Sequence, residues 1–477
     1  MPPPEGGANP DAAPPNIVFV VADDLGIGDV GAYGSEAIKT PHIDALAESG
    51  VRFTQGYVSH PVCSPSRAGL MSGRYQQRHG WEFNPAGRDT ETGMSTEEIT
   101  FADAVKAQGY ATGMVGKWHL GFEGSYHPVS RGFDEYFGVL AGGSLFIDAD
   151  VAGVESLGQR GSVRQFPHEV YRGRETVAVD EYLTDRFTTE ALDFITRKSG
   201  QPFLLYLSHT TPHTPLQATE KYLERYRHIK DKPTRIYAAM VASLDDSVGR
   251  IIERLKQLDQ YENTLFVFLS DNGCAGYIGD ACSNGPFAGY KRYHQEGGIR
   301  VPFIMAWPER LPRGTVYDKP VISLDLMATF SAAAGRARTT EDSVNLVPYL
   351  TGATQGSPHE YLYWRSGPTR AVRDGRWKLI QYARTSLTKD DLRSDGRLQP
   401  PDAGWPAEPL EGYLTLLYDL QNDPGESRNA AQQHPEIVQR LGAAYQAWNS
   451  ELKTEQILPA QRSTLTNMHG ETVQLIF

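Results

Sequence analysis

The sequence predicts an α/β sandwich joined to a smaller C-terminal domain of antiparallel sheet plus a helix. Two observations carry this. Short continuous apolar runs alternate with amphipathic segments through the first two-thirds of the chain, and near Gly335 that alternation gives way to a hairpin-like pattern. Unbroken Val/Ile/Leu/Phe runs, rather than strict alternation, suit parallel strands covered on both faces. A chain of 477 residues also exceeds what one ordinary core serves, so two domains are expected.

Residues 1–15, MPPPEGGANPDAAPP, are rich in Pro and Gly and read as a disordered leader. They carry neither the basic nor the apolar region of a signal peptide. The expected location is periplasmic or secreted, with the signal replaced by Met; a cytoplasmic protein is the alternative. NIVFVVADD (16–24), ATGMVGKWH (111–119), PFLLYLSH (202–209), TLFVFLSDN (264–272) and VPFIMAW (301–307) then read as buried strands. Helical periodicity falls between them, over 40–50, 99–109, 180–198 and 235–258. These make one domain over 16–355. In the C-terminal subdomain, 356–477, TRAVRDGRWKLIQY (369–382) places two short strands around Asp374-Gly375, a hairpin signal. HPEIVQRLGAAYQAWNSEL (434–452) supplies the helix that packs on them.

A net charge of −12 without a basic stretch argues against nucleic acid as a partner. No apolar run reaches the length of a membrane span, so no membrane partner is expected either. A small anionic ligand stays open, because local cations in a pocket outweigh the global sign. The three cysteines are Cys63, Cys274 and Cys282. The last two share a Gly-rich loop and can pair in an oxidising compartment, which leaves Cys63 as the odd thiol. The lack of a CxxC pattern argues against a zinc ribbon.

Ligands of open α/β sheets bind beyond the carboxyl ends of the strands. Four of the strands end there in polar groups: Asp23-Asp24, Lys117 with His119, His209 with His213, and Asp271-Asn272. Either acidic pair alone reads as turn residues. Together, three carboxylates and one amide oxygen form a hard donor set for Ca²⁺ or Mg²⁺. Lys117 and His119, two residues apart, share a face of an extended segment. His213 sits between prolines in a rigid loop, while His209 and His228 read as structural. In PVCSPSRAGLMSGR (61–74), Pro65 suits the first turn of a helix. That puts Cys63 at the helix mouth, where free N–H groups favour an anion, with Arg67 one turn on along the same face. From these residues alone, Cys63 is either a buried turn residue or a thiolate nucleophile.

CSPSRAGLMSGR resembles the C-x-P-S-R-x-x-L-x-x-G signature of the formylglycine-dependent type I sulfatases, the arylsulfatase family. Six further landmarks fall in that family's order: NIVFVVADDLGIGDVGAYG, GMVGKWHLG, TTPHTPLQA, FLSDNG, GYKRYHQEGGIRVPF and LYDLQNDPGE. The resemblance runs from about Asn16 to near the C-terminus. It implies an alkaline-phosphatase-like α/β/α fold, with 16–355 as the catalytic domain. It also implies calcium on Asp23, Asp24, Asp271 and Asn272. Cys63 would be the formylglycine precursor, oxidised by a formylglycine-generating maturation enzyme, and Arg67 would steady it. Lys117 and Lys291 would bind sulfate, His119 would lie beside the formylglycine hydroxyls, and His213 would face the leaving oxygen. The implied reaction is sulfate ester hydrolysis by a gem-diol nucleophile. Tyr290, Arg292, Tyr293 and His294 crowd Lys291 where many relatives are glycine-rich, which implies altered substrate contacts.

TTPHTPLQA and EGGIRVP look most like the carbohydrate-directed branch of the family. The implied substrate is a sulfated saccharide, a small molecule or an oligosaccharide, with aryl sulfates as artificial substrates. Trp81, Glu82, Asn84, Arg88 and the loop 142–148 are expected at the pocket mouth, joining Lys117, His213 and Lys291 as substrate contacts. The alternatives are a phosphonate or phosphate ester hydrolase on the same scaffold, and a catalytically inactive homologue that binds sulfated glycans.

Overall fold

Asn16–Ala22, seven consecutive buried residues, is a central strand of the main sheet. A computed structural model describes residues 13–85, 92–157, 169–391, 398, 408–409, 411–453 and 463–477. Most of the leader therefore lies outside the described residues.

Among the described residues the central sheet has ten strands. In order they are Thr315–Tyr317, Val51–Phe53, Phe303–Ala306, Thr264–Ser270, Asn16–Ala22, Phe203–Ser208, Ala111–Lys117, Glu135–Val139, Val170–Arg172 and Glu175–Val177. The four strands expected to carry the site are adjacent and parallel: Thr264–Ser270 pairs Asn16–Ala22, which pairs Phe203–Ser208, which pairs Ala111–Lys117. Their carboxyl ends therefore open on one edge. Successive side chains alternate between the faces. Val18 and Val20 enter one apolar core with Ile43 and Leu46 of helix Pro41–Glu48, with Phe187 of Leu183–Lys198 and with Ile236 of Lys232–Gln257. Ile17, Phe19 and Val21 enter the other with Ala68 of Cys63–Ser72, Phe101 of Phe101–Lys106 and Phe330 of Asp325–Ala333. Each fully buried aliphatic or Phe side chain contributes about 1.5–3 kcal/mol, so this two-sided burial holds the edge rigid.

One strand departs from expectation. Phe303–Ala306 runs antiparallel to Thr264–Ser270, so the sheet is mixed. The chain leaves Ser270 at the carboxyl edge, makes the site loops there, and returns from that same edge without a crossover, which makes its strand run backwards.

A second sheet, all antiparallel, runs Leu362–Ser366, Thr369–Arg373, Trp377–Arg384, Glu471–Ile476 and Ser463–Met468, and Tyr413–Asp419 also pairs Trp377–Arg384. The expected hairpin turns at Asp374-Gly375, where the Asp374 carboxylate accepts the Arg376 and Trp377 amides. Helix Pro435–Asn449 buries Leu441, Tyr445 and Trp448 beneath this sheet. Polar ties hold the sheet to the main body. Trp364 Nε1 donates to the Val58 carbonyl, and Lys378 Nζ lies 2.8 Å from Glu296 and 2.9 Å from Glu426.

Candidate active site

Asp23 and Asp24 follow the first strand, and Asp271 and Asn272 follow its neighbour. All four are buried. Asp24 adopts a left-handed backbone (φ 65°), uncommon for a residue other than Gly, which turns its carboxylate back toward the edge. Its amide donates to Asp271 Oδ1, and Asn272 Nδ2 donates to Asp24 Oδ1. The two pairs thus form one cluster across adjacent strands.

Cys63 opens helix Cys63–Ser72, and every residue of that helix is buried. Its Sγ lies 3.6 Å from Asp23 Oδ1 and 3.7 Å from Asp24 Oδ1. Arg67, one turn along, sends Nε to Asp271 Oδ2 at 2.8 Å and a terminal nitrogen to Ser208 Oγ. Lys117 Nζ donates to Asp23 Oδ2 at 2.7 Å. Lys291 Nζ donates to both Asp24 oxygens and to Cys63 Sγ at 3.2 Å. Lys117 reaches its place because Gly116, with φ 109°, runs so close to the Ser208 carbonyl that a Cβ would lie 1.9 Å from that oxygen.

His119 arrives differently from the sequence expectation. It lies beyond the strand in a left-handed turn (φ 63°), so its side chain is aimed by that turn and not by strand alternation. Gly142, in the loop expected at the mouth, packs against its ring, where a Cβ would meet Nε2 at 2.5 Å. His213 lies between cis Thr211–Pro212 and cis Thr214–Pro215. Its Nδ1 meets the Thr214 carbonyl at 2.6 Å, and Nε2 faces Asp24 Oδ2 at 3.6 Å.

Burial dominates the electrostatics. It pushes the Asp23 carboxyl up to about 7, with Lys117 pulling the other way and the charges of Asp271 and Asp24 adding to the rise. Burial acts on Asp24 too, but Lys291, His213 and Lys117 hold it below the usual carboxylate range. Burial pushes His213 down to about 3 against the pull of Asp24, and pushes His119 well down, helped by Lys117. It also pushes the Cys63 thiol above its ordinary value, although Lys117 and Lys291 oppose this. A helix mouth and two ammonium groups therefore do not yield a thiolate here.

The acidic cluster has the chemistry of a hard-cation site. Its donors are all oxygen, and the buried Asn272 Oδ1 has no hydrogen-bond partner among the described residues. Three carboxylates crowd together out of water, which a divalent cation relieves. Asp23, Asp24, Cys63 and His213 also bring ligand atoms within 4.8 Å of one another.

The expected residues therefore separate into groups. Asp23, Asp24, Cys63, Arg67, Lys117, His119, His213, Asp271, Asn272 and Lys291 come together. Trp81 and Glu82 do not line a mouth, since both are 0% exposed. Trp81 Nε1 donates to Ser64 Oγ, and Glu82 accepts a two-pronged pair from Arg365 and the Gly367 amide. Both face inward because they tie the helix mouth and the second sheet together. Asn84 Oδ1 takes the free Ser64 amide of the helix's first turn. Arg88 lies outside the described residues. Cys274 and Cys282 are disulfide-bonded, and His209 is buried against Ser247 Oγ. Sequence reasoning missed Ser208, which meets Arg67, and Tyr277, whose hydroxyl donates to Asp24 Oδ2 at 3.3 Å. Neither stands in a recognisable spacing.

A family model described as Sulfatase matches residues 15–336. Human steryl-sulfatase is 34% identical over 428 residues, covering 74% of this chain and 72% of its own. Dog N-acetylgalactosamine-6-sulfatase is 32% identical over 466 residues, covering 91% and 86%. Among solved structures, Ps i-CgsB in complex with k-i-k-neocarrahexaose superposes with a TM-score of 0.78 at 33% identity, over 92% of this chain and 93% of that one. The fold is the alkaline-phosphatase-like sandwich with its added antiparallel sheet, as the resemblance implied. The chain belongs to the sulfatase family and is a sulfate ester hydrolase.

Proposed function

We propose that the protein hydrolyses the sulfate ester of a saccharide, with a formylglycine made from Cys63 as nucleophile and a calcium ion held by Asp23, Asp24, Asp271 and Asn272. The carrying observation is the convergence of Lys117, Lys291, Arg67, His119 and His213 around a position 63 whose thiol burial holds protonated. A thiol so held is a poor nucleophile, whereas a formylglycine at this position, once hydrated, would supply an oxygen nucleophile at the same helix mouth. Bound calcium would supply positive charge beside the sulfate oxygens.

The side chains do the rest. Lys117 and Lys291 carry charge to a sulfate group at the helix mouth. An ion pair at 4 Å is worth about 4 kcal/mol at an effective dielectric near 20, so two such cations orient the ester firmly. Arg67 holds the Asp271 carboxylate in place through Nε at 2.8 Å. His119, held neutral, accepts a proton from the attacking hydroxyl. His213 gives its Nδ1 hydrogen to the Thr214 carbonyl, so Nε2 is bare in the neutral ring; it would first take up a proton as the anionic ester binds and then pass it to the leaving oxygen. An arriving sulfate anion raises the proton affinity of both imidazoles.

The whole helix 63–72 is buried, so the maturation enzyme acts before that helix packs. The Cys274–Cys282 disulfide supports export to an oxidising compartment. Among the described residues no helix is long and apolar enough to cross a membrane. The saccharide class is supported by the names of the relatives, one an N-acetylgalactosamine-6-sulfatase and one solved in complex with k-i-k-neocarrahexaose. Release of inorganic sulfate from a panel of sulfated oligosaccharides, beside aryl sulfate and aryl phosphonate esters, tests the reading. Efficient aryl sulfate cleavage with no saccharide turnover sinks the saccharide class, and a large phosphonate preference sinks the sulfatase chemistry.

A further inference from the structure

Tyr277 sits on the loop Gly276–Ala281, which the Cys274–Cys282 disulfide closes. It is 49% exposed, yet its hydroxyl reaches into the site to Asp24 Oδ2, the same oxygen that His213 Nε2 faces. The hydroxyl also meets the Thr214 side chain, beside His213. Its ring therefore stands at solvent next to the histidine assigned to the leaving oxygen. Two neighbours brace it. The Arg292 guanidinium lies over the Tyr277 ring at 5.2 Å and over the Phe477 ring at 4.1 Å, and Arg292 has a left-handed backbone, φ 84°. Tyr290 packs on Gly276, where a Cβ would come within 2.9 Å of its ring. An aromatic ring anchored by its hydroxyl and open on its body is the kind of surface that covers the apolar face of a ligand ring at low entropic cost.

We propose that Tyr277 is a specificity residue on the leaving-group side of the site, against which the ring bearing the sulfate ester packs, and that the disulfide-closed loop holds it in place. This rests on the reading of the protein as a saccharide sulfatase. Covering one face of a sugar removes enough apolar surface from water to change affinity about tenfold or more. Tyr277 touches Asp24, whose two oxygens also hold Lys291; Lys291 keeps both of those bonds when the ring is removed, so sulfate inhibition is the readout that separates packing of the sugar from an effect through Asp24.

The test uses the matured protein with Tyr277→Ala, Tyr277→Phe and the Cys274→Ser/Cys282→Ser pair. Two quantities are read: kcat/KM on a sulfated saccharide, and inhibition by inorganic sulfate. Tyr277→Ala is expected to lower kcat/KM about ten- to a hundredfold through KM, with the sulfate inhibition constant within about twofold. Tyr277→Phe keeps the ring and stays within about threefold. The cysteine pair raises KM in the same direction, again without moving sulfate inhibition. The proposal is overturned if sulfate inhibition weakens in step with KM, since Tyr277 then acts through Asp24, or if Tyr277→Ala leaves KM unchanged. Unchanged KM in the cysteine pair overturns the role of the loop. If the unaltered protein cleaves only aryl sulfates, the saccharide reading fails by itself, and the same comparison is read on the aryl ring.

Discussion

Lys378→Met removes one ammonium from a place where three charges meet out of water. Lys378 is 0% exposed, with Nζ 2.8 Å from Glu296 Oε1 and 2.9 Å from Glu426 Oε1. Glu426 also accepts the Glu296 amide, and Glu296 accepts the Tyr57 hydroxyl at 2.6 Å and pairs with Arg300 at 3.2 Å. Glu296 therefore keeps partners without Lys378, whereas among the described residues Glu426 Oε1 has no hydrogen bond beyond that ion pair. Breaking a buried pair from one side costs about 3–5 kcal/mol, because the other charge stays stranded. Burial already pushes Glu426 up to about 7, Lys378 opposing and Glu296 adding. A carboxyl raised in this way gives stability that is present below pH 4.5 and lost as pH rises through 7. The deficit of the variant therefore widens from pH 5 to pH 8. Adding Glu426→Gln removes the stranded charge and offers an amide to Glu296, so the double variant recovers much of the loss. Urea unfolding reports this through Trp fluorescence, since the Trp364 ring lies 5.9 Å from Lys378 Nζ. A single-variant cost below about 1 kcal/mol, or no recovery in the double variant, refutes the reasoning. Glu296 lies five residues beyond Lys291, so the same variant is expected to raise KM for sulfate esters.

Three other outcomes are expected. Burial raises Asp23 from 3.8 to about 7, so its contribution is present below pH 3.8 and lost as pH rises through 7; calcium added to chelated protein therefore raises the unfolding midpoint more at pH 8 than at pH 5, and equal shifts would remove Asp23 from the metal set. His213→Ala lowers kcat on sugar sulfates by about 10²–10⁴, but much less on aryl sulfates with acidic leaving alcohols; an equal loss on both contradicts a general-acid role. Glu82→Gln costs about 1–3 kcal/mol of stability and leaves KM unchanged, because Glu82 serves Arg365 and Gly367; a changed KM at unchanged stability would return it to the pocket.

The strand ends were legible because unbroken apolar runs announce buried strands and the residues that follow must lie at an edge. Asp23, Lys117 and Asp271 are placed by that rule alone. Direction was not legible for Phe303–Ala306, since a four-residue buried run reads the same either way. Trp81 and Glu82 were expected at the mouth because they fall where relatives line it, and such a position says nothing about which way a side chain turns; both turn into the body. His119 owes its aim to a left-handed residue that no spacing rule foresees. The Lys378–Glu296 pair joins positions 82 residues apart, and Tyr277 and Asp24 lie 253 apart, so neither contact leaves a local trace.

The central claim is that position 63 becomes the nucleophile only once its thiol has been converted to an aldehyde. Peptide mass spectrometry of residue 63, in preparations matured to different extents, is set against the turnover of one sulfate ester. Turnover is expected to rise in proportion to the converted fraction and to vanish in thiol-only protein. Full turnover by protein holding only the thiol would contradict it.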